Sequence, residues 1–217
     1  MNFVKLTEQQ IKDDPEQQLK SFKKTKNFLV AIDTDGCVTD NMNGKHMMIF
    51  QPQYMEFYQL WAIESYLREV CEYYNLFSIH RGCNRFLAIQ YSLKALYDRA
   101  DVQEVLRTKD VVLPELEPLN RYIAYCEHQK VGLGNPSLEK YLSQHPVELY
   151  FYKLLGWSEA VNRNFPFIKI PPFENVKESL EIMSKQADVM VVSQTPYEDL
   201  VNFWEDNGLL PYIQTIA

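Results

Sequence analysis

Along this chain the spacing of apolar residues switches between two grammars. The first strong run, FLVAI at residues 28–32, is continuous over five positions and predicts a buried strand. Ahead of it, Phe3, Leu6 and Gln10 keep helical spacing, and the basic end SFKKTKN, with Lys20, Lys23, Lys24 and Lys26, reads as a solvated face. Residues 41–56, NMNGKHMMIFQPQYME, place NG and QP punctuation around a short apolar run, which predicts a hairpin or flap rather than a helix. From Phe57 the period becomes helical. Phe57, Leu60, Trp61, Tyr66, Leu67 and Val70 predict a helix of about four turns, and further helical patterns follow at 84–98, 116–127, 137–143 and 147–155. Pro114, Pro118, Gly132, Gly134, Pro136, Pro146 and Gly156 punctuate this block.

After residue 170 the first grammar returns. Phe173, Val176, Leu180 and Met183 share one helical face, and DVMVVS is a second apolar run, ending at Ser193. Thr195, Pro196 and Glu198 form a helix start with a capping hydroxyl, a proline at the first position and an acid at the third. That helix is expected to run through Trp204 and stop at Gly208, with PYIQTIA opening another strand. Two apolar strands flanking a helical insertion predict a parallel sheet interrupted by a cap. The boundaries implied are an α/β core from 1–40 and 165–217, a flap over 41–56 and a helical cap over 57–164.

Composition narrows the classes of function. At 217 residues, one or two domains are allowed. A net charge of -7 argues against a nucleic-acid binder, because phosphate backbones are held mainly by Lys and Arg. The dense aromatics at 54–74 and 141–157 are accordingly read as cap core rather than an RNA-stacking surface, with Trp61 and Trp157 placed inside. There is no run of 18 apolar residues, and MNFVKLTEQQIKDDPEQQ lacks the apolar centre of a secretion signal, so a cytoplasmic protein without a membrane partner is expected. Cys37, Cys71, Cys83 and Cys126 contain no CxxC pair, and His46, His80, His128 and His145 form no HExxH set, which gives no zinc or disulfide pattern.

Candidate chemistry gathers where the apolar runs end. Asp33 follows FLVAI directly and Asp35 lies two residues on, before Gly36. In open α/β sheets, ligand groups collect at the carboxyl ends of strands. Hard oxygen ligands there suit magnesium, and an aspartate so placed can attack phosphorus while a neighbouring acid handles the proton. The other reading is a turn, with Asp35-Gly36 supplying its positive φ. Ser193 ends the second run, where its hydroxyl can donate to a phosphoryl oxygen or serve structure alone. In the helical block, HRGCNR sets His80, Arg81, Asn84 and Arg85 just before a helix, suited to phosphate or carboxylate or else to a polar turn. Lys45 and His46 read as surface residues of the flap.

FLVAIDTDG, with Asp33, Thr34, Asp35 and Gly36, followed after a helical insertion by VMVVS ending at Ser193, resembles the first two motifs of the haloacid dehalogenase-like (HAD) hydrolases. The resemblance spans most of the chain in layout, but its specific motifs cover only a short part of it. It implies a HAD-like Rossmannoid α/β core with a parallel sheet, interrupted by a mostly helical cap. It further implies Asp33 as nucleophile and magnesium ligand, Asp35 as general acid/base with its carbonyl on the metal, and Ser193 as a phosphoryl donor. Thr34, Gly36 and Thr195 would lie against the substrate, with His80, Arg81 and Arg85 contributing from the cap. The reaction implied is magnesium-dependent hydrolysis of a small phosphorylated metabolite through an aspartyl-phosphate. A phosphomutase-like transfer would use the same acids, and a dehalogenase would lack the acid at Asp35.

The family's third and fourth motifs, a lysine and an acidic pair, find no counterpart between Ser193 and Ala217, where Glu198, Asp199, Glu205 and Asp206 belong to the expected helix. The expectation is therefore an incomplete core: either a chain that continues past Ala217, or a protein that binds a metabolite or partner without catalysis. It also leaves FLVAI as an apolar sheet edge, to be covered by another subunit, another segment or partly by the N-terminal helix.

Overall fold

The computed structural model describes residues 3–14, 16–165, 169–193, 195 and 197–217. It is a mixed α/β protein, mostly helical, with one three-stranded parallel sheet. In chain order the elements begin with α1 (Glu8–Asp13), α2 (Gln17–Ser21), β1 (Phe28–Ile32), α3 (Asn41–Lys45), α4 (Gln51–Tyr58) and α5 (Glu64–Glu72). They continue with α6 (Arg85–Asp98), α7 (Ala100–Lys109), α8 (Leu116–Gln129), α9 (Asn135–Gln144) and α10 (Leu149–Asn164). The last four are α11 (Val176–Gln186), β2 (Ala187–Val191), α12 (Tyr197–Asp206) and β3 (Thr215–Ile216). Two compact units result, residues 1–42 with 169–217, and residues 43–168.

In the first unit the strand order is β1-β2-β3, all parallel, with Ile32 opposite Val191 and Met190 opposite Thr215. The central strand is buried at every position, and its residues are apolar apart from Asp188. Leu180 of α11, and Leu200, Val201 and Trp204 of α12, pack with Val189, Val191 and Ile216 into one core. Gly208 stops α12 as its position suggests. Its φ is 65°, and the Gly208 and Leu209 N–H groups return to the carbonyls of Glu205 and Trp204, closing the orphaned end of the helix.

The two sheet edges are treated differently. At β3, Gln18 of α2 takes the place of a neighbouring strand: its Oε1 accepts from Ile216 N–H at 2.9 Å and from Thr215 Oγ1 at 2.9 Å, while its Nε2 donates to Val4 O and Tyr197 Oη. Helix α2 therefore serves the β3 edge rather than the β1 edge that the sequence suggested for the N-terminal helix. On β1, Phe28 and Leu29 remain 71% and 54% exposed.

A buried acid anchors the opposite end of the sheet from Asp33. Asp188, 1% exposed, accepts from Thr25 N–H and Oγ1, Lys26 N–H and Gln214 Nε2. Burial by itself would raise its pKa, but the hydrogen bonds from Thr25, Gln214 and Lys26 outweigh it and hold the carboxyl well below the usual carboxylate range.

The second unit is helical and has its own core, built around Trp157, Tyr122, Phe86 and Phe151. Three expectations need correction here. The segment 41–56 is not a hairpin but near-continuous helix: α3, a π-helical turn over His46–Phe50, then α4. Pro52 sits in the first turn of α4, and Gln51 N–H reaches back five residues to His46 O, so the widened turn accommodates a residue with no donor. The four-turn helix from Phe57 is broken instead, with Gln59 at φ 56° and a 3₁₀ turn at Trp61–Ile63 before α5. Trp61 is 44% exposed, its Nε1 donating to Glu56, and does not belong to the core. Helix α7 had no sequence expectation. Pro196, expected to open α12, lies outside the described residues.

Candidate functional site

Asp33 is the first residue past β1. The ladder runs one step beyond the strands, with Val192 N–H donating to Ile32 O at 2.9 Å, so Asp33 and Ser193 leave the carboxyl ends of adjacent parallel strands. Asp33 is exposed, and its Oδ1 accepts the Thr34 N–H at 2.7 Å. Thr34 is buried. Its carbonyl accepts from the N–H groups of Cys37, Val38 and Thr39, and its Oγ1 accepts from Trp204 Nε1 at 3.0 Å. Gly36 takes φ 74° and donates to Thr39 O at 2.8 Å. The strand-end reading and the turn reading thus both describe this segment: a tight turn is what projects Asp33 and Asp35 off the end of β1. Thr39, fully buried, ties the turn to residues 170–172 through its hydroxyl and a bridge to Pro172.

Asp35 joins the two motifs. Its Oδ2 accepts from Thr195 Oγ1 at 2.9 Å across 160 residues of sequence, and its Oδ1 accepts from Asn41 Nδ2 at 2.5 Å. Ser193 Oγ accepts the Thr195 N–H at 3.2 Å. The structure therefore brings Asp33, Thr34, Asp35, Gly36, Ser193 and Thr195 to one end of one sheet. Thr195 spends its hydroxyl on Asp35. Sequence reasoning missed Asn41 and Trp204, the groups that hold Asp35 and Thr34. Asn41 stood in the supposed flap and Trp204 counted only as a helix end, so neither carried a signal.

Asp33 presents one exposed carboxylate at a strand end, and magnesium needs only one or two carboxylates from a protein when substrate phosphate supplies other oxygens. Among the described residues no group of three or more His, Cys, Asp or Glu side chains is arranged to hold a metal by itself.

His80, Arg81 and Arg85 lie in the helical unit. His80 stacks on Tyr91 at 4.2 Å, and its N–H donates to Ser78 Oγ. Arg81 is exposed and donates to Leu76 O at 2.9 Å. Asn84 caps α6, accepting the Phe86 N–H. Arg85 differs. Its Nη1 donates to Ser158 Oγ and O and to Asn162 Oδ1, its guanidinium lies 5.2 Å from the Phe50 ring centre and 5.7 Å from that of Phe165, and burial lowers its pKa to about 10. HRGCNR does not converge as one patch, because each side chain answers to a different neighbour. His46 is also not the surface residue expected: it is 9% exposed, stacked on Phe50, and lines a cavity with Arg85.

Comparison with known proteins finds no matching family model, no matching curated protein and no matching solved structure.

Proposed function

We propose that the chain hydrolyses a small phosphate monoester with Asp33 as nucleophile, in a HAD-like core formed by residues 1–42 and 169–217, with 43–168 as the inserted cap. The observation that carries this reading is the Thr195–Asp35 hydrogen bond, which unites two strand-end motifs far apart in sequence. Magnesium bound with the substrate would neutralise charge on the transferring phosphoryl group. Asp33 Oδ would attack phosphorus as the bond to the leaving oxygen breaks, and Asp35 would give that oxygen a proton. Asp35 would then take a proton from the water that cleaves the aspartyl-phosphate. Thr195 and Asn41 each donate to one oxygen of Asp35 and fix the orientation of its carboxyl. Ser193 would donate its hydroxyl to a phosphoryl oxygen. The test is release of inorganic phosphate from a panel of phosphorylated sugars, nucleotides and organic acids with magnesium. Turnover by the protein and none by Asp33→Asn is expected; equal release by both would end the proposal.

One observation favours a second reading, a protein that binds a metabolite or partner without turnover. Both oxygens of Asp35 already accept hydrogen bonds, which suits a clasp between loops as well as it suits an acid. Saturable binding of a phosphate monoester that no panel condition hydrolyses would select it.

A further inference from the structure

The helical unit holds a partly open pocket with a cavity volume of about 20 Å3, room for a water-sized group. Apolar Phe50 and Trp157 line it together with Arg85, Gln51, Tyr54 and Asn75. Three of these residues carry a polar atom that the protein leaves unpaired. Gln51 is 2% exposed, Tyr54 4% and Asn75 6%, yet Gln51 Nε2, Tyr54 Oη and Asn75 Oδ1 have no hydrogen-bond partner. Buried polar groups are nearly always paired, and each one left unpaired costs stability. Arg85 adds a charge. Its three hydrogen bonds all leave from Nη1 and end on neutral oxygens, and among the described residues no carboxylate pairs with it. No Asp or Glu lines the cavity.

A half-buried guanidinium whose hydrogen-bond partners are all neutral oxygens is suited to an anion. The Nε and Nη2 edge, which those three bonds leave unused, is the fork that grips a carboxylate through two parallel hydrogen bonds. Gln51 Nε2 and the Tyr54 hydroxyl are further donors, while Asn75 Oδ1 asks for a donor from the ligand. We propose that this cavity binds the carboxylate head of a small organic acid that also carries a hydroxyl or amino group. The inference does not depend on Asp33 turning over a phosphate, since every group it uses lies in residues 43–168.

The experiment is titration of the full chain with glycolate, a carboxylate with an adjacent hydroxyl, followed by calorimetry and by the melting temperature. Acetate, inorganic phosphate and chloride serve as parallel probes. Saturable glycolate binding, tighter than acetate, is expected. Tyr54→Phe and Arg85→Lys should each weaken it about tenfold or more, as loss of a hydrogen bond to a charged group implies. Tyr54→Phe removes a hydroxyl with no partner in the protein, so its ligand-free melting temperature should hold or rise while affinity falls. Should Arg85→Lys fail to fold, Tyr54→Phe and Gln51→Leu decide the matter. Asp33→Asn should bind glycolate unchanged. The proposal is overturned by an absence of saturable glycolate binding, by equal binding in the variants, by preference for phosphate over both carboxylates, or by chloride competing at the same concentration.

Discussion

Asp33 and Asp35 stand two residues apart and meet different surroundings. Asp33 is exposed and bonded to its own next amide, whereas both oxygens of Asp35 are held from elsewhere in the unit. Asp33→Asn keeps an oxygen to accept the Thr34 N–H, so its stability to urea should stay within about 0.5 kcal/mol of the parent, as for a surface change away from buried contacts. Thr195→Val keeps shape and loses the bond to Asp35, and should cost about 1–3 kcal/mol in the same measurement. Asp188 supplies a pH dependence. Its folded pKa is depressed, so the stability it contributes is fully present above the unfolded carboxyl pKa, near 4, and is lost as pH falls from there toward the folded value. Melting curves should therefore show an acid limb below about pH 4, shallower in Asp188→Asn. The aspartates and Ser193 were legible at this scale because strand ends are visible in the sequence. Asp188 was not, because nothing in the run DVMVVS marks its acid as buried until Thr25 and Gln214 are folded against it.

Among the elements, turn chemistry misled most. Asn43-Gly44 and Gln51-Pro52 are strong hairpin punctuation, yet both lie in helix, since proline is welcome in a first helical turn and the π segment before it absorbs the misfit. Gln59 ends a helix in the left-handed region without being Gly or Asn, held there by its N–H and that of Leu60 returning to Met55 O and by its side chain donating to Glu56 O. Gly156 has the opposite lesson. It sits inside α10 because a Cβ there would lie 2.8 Å from Phe57 Cε1. Gly156→Ala gains helix propensity of up to about 1 kcal/mol, but the overpacking should dominate and leave a net loss of about 1–2 kcal/mol. Phe57→Leu in the same chain should recover part of it, and denaturant titration of the two variants and their combination measures the coupling. At the β3 edge, Gln18→Ala leaves the Ile216 N–H and Thr215 hydroxyl without their buried acceptor and should cost about 1–3 kcal/mol.

For the whole molecule, the order of α/β elements, helical block and α/β elements was readable because the apolar period changes from continuous runs to helical spacing and back. Each part has its own core, one around Trp204 and one around Trp157, which is what such a change of period requires. The parallel pairing of β1 and β2 followed from the same layout. The chemistry of the helical unit was less legible, since Gln51 and Tyr54 come from segments read as flap or as aromatic core, Asn75 had no reading, and only folding places them with Arg85 around one cavity. The central claim is that Asp33 carries the phosphoryl group. The most direct measurement is acid quenching of the full chain during turnover of a phosphate-labelled monoester with magnesium, followed by mass spectrometry of the peptide spanning residues 28–40. The account expects phosphate on Asp33, absent in Asp33→Asn and sensitive to hydroxylamine as an acyl phosphate is. Label on another residue, or turnover with no phosphoryl-enzyme at any quench time, would contradict it.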